Sequence, residues 1–123
     1  MPRTIAWTDG TTWSVDEPTF QLVMQRLSKL GDVIWGMEPI HRRLAASSAA
    51  GDKIVVDAFA PSEDDRAVFT AGLDRALEDA RAAGPTALGF EDANDYMAFL
   101  EKLAELHKLF MTDITHELPR VKR

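Results

Sequence analysis

The chain has 123 residues, enough for one domain that buries about two thirds of its unfolded surface, and its 46% hydrophobic and 28% charged content reads as folded. The absence of cysteine excludes disulfides, thiolate nucleophiles and cysteine-ligated zinc or iron–sulfur centres. A net charge of −6 argues against nucleic acid as a partner, because phosphate contacts reward basic surfaces.

Residues 3 to 15 read as a β-hairpin. Ile5, Trp7, Trp13 and Val15 all occupy odd positions, so a three-residue loop of Thr8, Asp9 and Gly10, with Gly10 left-handed, keeps the four on one face. A two-residue Asp9-Gly10 turn would split the tryptophans between faces. Asp16-Glu17-Pro18 then opens a helix with an N-cap, an early acid and an early proline, and Phe20, Val23, Met24, Leu27, Leu30 and Ile34 form its apolar face. Leu22 and Val33 point elsewhere. Gly31-Asp32 divides this segment, with a short successor expected through Met37. Glu38-Pro39 opens another short helix, from Ile40 to about Ala50.

Lys53 to Phe59 is the only other strand candidate, rich in β-branched residues and placed to extend the hairpin, although an extended loop also fits. Ser62-Glu-Asp-Asp65 resembles a capping box, and the helix it starts turns Phe69, Leu73, Ala76, Leu77 and Ala80 inward before ending at Gly84-Pro85. The strongest periodic signal runs from Phe90 to Leu118. Wound at about 100° per residue, it gathers Ala93, Tyr96, Phe99, Leu100, Leu103, Leu106, Phe110, Met111 and Ile114 on one face, with His107 in the same stripe. Glu101, Lys102, Glu105, Lys108, Thr112 and His116 take the other face. Asp92 and Asp95 suit its start, and Pro119 is expected to stop it. The expected fold is α+β and predominantly helical: a single domain of three to four amphipathic helices on a small antiparallel sheet.

Chemistry is harder to find. Glycines occur singly, without a phosphate-binding or nucleophile-elbow motif. Glu38-x-x-His41 has the spacing of a carboxylate-bridged metal site, but such sites need two copies on facing helices. His107 and His116 fall on opposite sides of one helix. No metal and no cofactor are therefore expected, and the reading leans away from an enzyme. A small enzyme or ligand carrier would need a pocket between sheet and helices, with His107, Asp57 and Tyr96 as its candidates. The short tail Arg120-Val-Lys-Arg123 carries no lipidation signal, no membrane span or signal peptide is expected, and the chain reads as cytoplasmic.

Charge is the remaining signal. Residues 61 to 105 hold eleven Asp and Glu against four Lys and Arg. Glu63, Asp64, Asp65, Asp74, Glu78, Asp79, Glu91, Asp92, Asp95, Glu101 and Glu105 are thus candidates for an acidic face that meets a basic protein partner. Acidic surfaces also serve solubility alone. By analogy of class, such a domain suits a bacterial immunity-type inhibitor or antitoxin. A homodimer or a phage-like assembly subunit using Leu22, Val33 and Leu109 is the further alternative.

Overall fold

The computed structural model describes the backbone of residues 2–121 and the side chains of residues 2–112. Strands β1 (Arg3–Ala6) and β2 (Thr12–Val15) form the hairpin, followed by helices α1 (Glu17–Ser28) and α2 (Met37–Ala50). Strand β3 (Lys53–Val55), the single turn α3 (Val56–Phe59), α4 (Glu63–Ala87) and α5 (Ala93–Val121) complete the chain. The result is a predominantly helical α+β fold.

The hairpin takes the three-residue loop. Ile5 pairs with Trp13 and Ala6 with Thr12, Trp7 N–H donates to Thr11 O at 2.9 Å, and Gly10 sits at φ +96°. Ile5, Trp13 and Val15 are buried and Trp7 is half-buried against Phe110, with ring centroids 5.1 Å apart. The sheet is mixed rather than purely antiparallel, because β3 runs parallel to β1 with Ile5 beside Ile54. The reason lies in the connection. Helices α1 and α2 leave from Val15, next to Arg3, and return the chain to Asp52 and Lys53 at the same end of the sheet. A strand entered from that end must follow β1. Arg3 closes this junction, donating to Glu17 at 2.7 Å, to Ser48 O and to Gly51 O at 3.0 Å, so a cation neutralises the end of α2.

Several boundaries depart from the sequence expectation. The strand stops at Val55, and residues 56 to 59 coil so that Val56 and Phe59 both reach the core, which an alternating strand would forbid. Helix α1 ends at Ser28 with Lys29 as its cap, and residues 32 to 36 form turns instead of a short helix. Gly36, at φ +90°, makes the bend into α2, which therefore begins at Met37. Proline's own φ is helical, and α5 continues past Pro119 to Val121. The side chains of Ile114, His116 and Leu118, and the tail's Lys122 and Arg123, lie outside the described residues.

The core sits between the sheet and the α4–α5 pair. Phe59, Phe69 and Phe110 meet at centroid distances of 4.8 to 6.3 Å and are fully buried. Each such side chain contributes about 1.5–3 kcal/mol by leaving water. Trp13 Nε1–H donates to Lys102 O at 2.9 Å and so pins α5 to the sheet. Tyr96 facing Ala80, His107 facing Asp74 and Phe110 facing Phe69 show that α4 and α5 run antiparallel. The phase of α5 differs at its margins from the expected stripe. Met111 is 45% exposed and Ala93 is exposed, while Tyr96, Phe99, Leu100, Leu103, Leu106 and Phe110 are buried.

Candidate functional site

The first four-residue rows of α1 decide what it shows to solvent. Asp16 caps the helix by accepting Thr19 N–H at 3.0 Å, and these hydrogen bonds from Thr19 hold its carboxyl below the usual carboxylate range. With Phe20, Val23, Met24 and Leu27 turned inward, Pro18, Gln21, Leu22 and Gln25 line up outward at helical spacing. The segment after α4 then folds against this stripe. Gly84, at φ +82°, breaks the helix, and Phe90 N–H donates back to Pro85 O at 2.9 Å. The tight turn places Leu88 and Phe90 beside α1, with the Phe90 ring 5.9 Å from Tyr96 and 5.7 Å from Phe99.

Between them lies a groove of about 560 Å³, lined by Pro18, Gln21, Leu22, Gln25, Leu88 and Phe90. It continues past Phe90 into a second stretch of about 450 Å³, bordered by Val15, Asp16, Asp95, Ala98, Phe99 and Lys102. The floor is apolar. Asp16 and Asp95 supply the rim charge, while Lys102 is paired with Glu105 at 3.5 Å. Gln21 donates to Glu17 at 2.6 Å, and exposed Gln25 stands one turn further along the groove. Neither stretch is lined by a histidine, and among the described residues no three His, Asp or Glu side chains form a group able to hold a metal ion.

The acids predicted from sequence divide between the two ends of the helix pair. Glu63, Asp64 and Asp65 crowd the start of α4, where Ser62 caps by accepting Asp65 N–H at 3.0 Å and Arg43 pairs with Asp65 at 3.5 Å. Glu78, Asp79, Glu91, Asp92 and Asp95 gather at the opposite end, around the α4–α5 turn that carries Leu88 and Phe90. Asp79 is paired with Arg75 at 3.2 Å, and Asp92 caps α5 through Asn94 N–H at 2.8 Å. Glu78, Glu91, Asp95 and Glu101 are exposed, and Asp74 lies 3.9 Å from His107.

The three residues proposed for a pocket between sheet and helices stand apart. Tyr96 is buried and donates to Ala80 O at 2.8 Å. Asp57, on α3 and not on a strand, is ion-paired with Arg66. His107 is half-buried at the edge of the α4–α5 contact. His41 Nε2 lies 3.2 Å from Met24 O, tying α2 to α1, whereas Glu38 pairs with Arg42. Of the residues considered for a homo-oligomer, Leu22 lines the groove, Val33 is 54% exposed in the turn before α2, and Leu109 is half-buried against the core.

Sequence reasoning missed the groove and one residue besides. Trp35 is 94% exposed in the same turn as Val33. Its signal was available: it follows the apolar series that ends at Ile34 and immediately precedes a glycine that turns the chain. No helix among the described residues is long and apolar enough to cross a membrane. No family model, characterised protein or solved structure matches the chain.

Proposed function

We propose that this chain is a binding module that receives a basic, partly apolar segment of a protein partner in the groove between α1 and the α4–α5 turn. The observation that carries this reading is the juxtaposition of an apolar floor, Leu22, Leu88 and Phe90, with a rim bearing Asp16 and Asp95. Apolar side chains supply affinity on burial, and the rim acids supply orientation and a faster encounter with a positive segment. Glu78, Glu91 and Asp92 at the same end extend the negative field beyond contact distance, within about 10 Å at ordinary salt. Glu63, Asp64 and Asp65, at the far end, serve helix α4 and the Arg43 contact instead.

Within this reading the chain is an immunity-type inhibitor or antitoxin, acting by occupying a basic surface of its partner and not by chemistry. The experiment is affinity capture from native cell lysate, with wild-type protein compared against Leu22→Asp and Asp95→Lys. Asp95 is exposed and Leu22 is half-buried at the edge of the core, so circular dichroism of each variant checks that the fold is retained. A partner held by wild type and lost from both variants supports the groove. A partner held equally by all three would move the binding surface elsewhere.

A further inference from the structure

A second surface lies on the other flank of α5. Met97 is 54% exposed and Met111 is 45% exposed, two of the few large apolar side chains left open among the described residues. Half-buried Ala104 stands midway, seven residues from each. Seven residues bring an α-helix back to within about 20° of the same direction, so the three form one straight stripe. Glu101 and Lys108, both exposed, border the stripe on its solvent side, three residues before and four after Ala104. Lys102, which borders the groove, is turned about 200° from Ala104, so groove and stripe do not overlap.

We infer that this stripe pairs with the same stripe of a second copy of the chain, antiparallel, about a two-fold axis through Ala104. The pattern is self-complementary under that operation alone. Met97 of one copy meets Met111 of the other, and Glu101 falls within one residue of Lys108, twice over. A parallel pairing would carry Glu101 and Lys108 of the second copy to the opposite flank and leave both without the cross-pairing. A self-matching patch of this kind makes an isologous, closed dimer. The alanine at the crossing lets the helix axes approach to about 8–10 Å, and the methionines adapt to fill the flanks. Two forces oppose the pair: a charge of −6 on each copy, and Asp74 near His107 on the α4 side of the stripe. One helix face is also less than the roughly 800 Å² per partner of a standard interface. The dimer is therefore reversible and concentration-dependent, and it is independent of the groove.

The absence of native cysteine makes the geometry directly testable. Ala104→Cys should form a disulfide-linked dimer under mild oxidation. Met97→Cys and Met111→Cys should each form no disulfide-linked dimer alone, because equivalent positions stand about 21 Å apart along antiparallel helices. Their mixture should cross-link. In sedimentation equilibrium, Glu101→Lys should weaken the wild-type dimer about tenfold, and Glu101→Lys combined with Lys108→Glu should restore it. Wild-type protein that stays monomeric to millimolar concentration overturns the inference. So does Met97→Cys cross-linking to itself as fast as to Met111→Cys, or a charge-swapped double variant no better than the single.

Discussion

Phe110 is the residue on which the three layers of the fold converge, so truncating it tests the packing most severely. It is fully buried on α5 and touches Trp7 of the hairpin, Phe59 of α3 and Phe69 of α4, with centroids at 5.1, 6.3 and 4.8 Å. A Phe→Ala change in a core costs about 3–5 kcal/mol, and each aromatic neighbour adds about 0.5–1.5 kcal/mol beyond burial. Phe110→Ala should therefore lose about 4–5 kcal/mol, a large part of the about 5–15 kcal/mol that holds a domain together. Phe110→Leu keeps most of the volume and forfeits the ring contacts, for a loss of about 1–2 kcal/mol. Met111→Ala, one residue on and exposed, should stay within about 0.5 kcal/mol of wild type. Urea denaturation followed by circular dichroism measures all three. Equal losses at 110 and 111 would refute the helix phase and, with it, the assignment of the groove and the methionine stripe to opposite flanks.

Four smaller changes probe single contacts. Tyr96→Phe removes a buried hydroxyl that donates to Ala80 O and should cost about 0.5–1.5 kcal/mol in the same assay. Gly10→Ala meets no neighbouring atom, so its cost of about 1–2 kcal/mol comes from the positive φ alone, and a neutral result would mean another loop geometry. Asp16→Ala removes the α1 cap and should cost about 0.5–2 kcal/mol at neutral pH. Because the folded-state pKa of Asp16 is lowered, that difference should hold above about pH 4, the unfolded value, and shrink as pH falls through the lower folded value. Trp35→Phe should abolish the fraction of tryptophan fluorescence that acrylamide quenches readily, since Trp13 is buried and Trp7 half-buried, and leave stability within about 0.5 kcal/mol.

Local rules carried the sequence a long way. The hairpin register followed from four apolar residues at odd positions, and the caps at Asp16, Ser62 and Asp92 from side chains that can accept free amides. What escaped was set by long-range partners. Residues 56 to 59 look like a strand by composition, yet two of their side chains must enter one core, and only a helical turn achieves that. The parallel pairing of β3 depends on where α1 and α2 return the chain, and Arg3, which fixes that junction, looks in sequence like an ordinary polar strand residue. The groove joins α1 to a turn some seventy residues later, through Leu22 and Phe90, so no local pattern contains it. Leu22 alone left a trace, as an apolar residue off the inward face of its helix. The acids were legible as composition but not as places, because the helix pair sends Glu63 and Glu91 to opposite ends.

The account turns on whether the acid-rimmed groove binds a basic, apolar segment. The most direct measurement is a titration of isotope-labelled protein by amide NMR with a short blocked peptide of alternating lysine and leucine, alongside its glutamate–leucine counterpart. The lysine peptide should shift Leu22, Gln25, Leu88, Phe90 and Asp95 as one saturable set, weakened by added salt, and the glutamate peptide should shift them far less. Equal response to both peptides, or shifts centred on Glu63 to Asp65 with the groove silent, would contradict it.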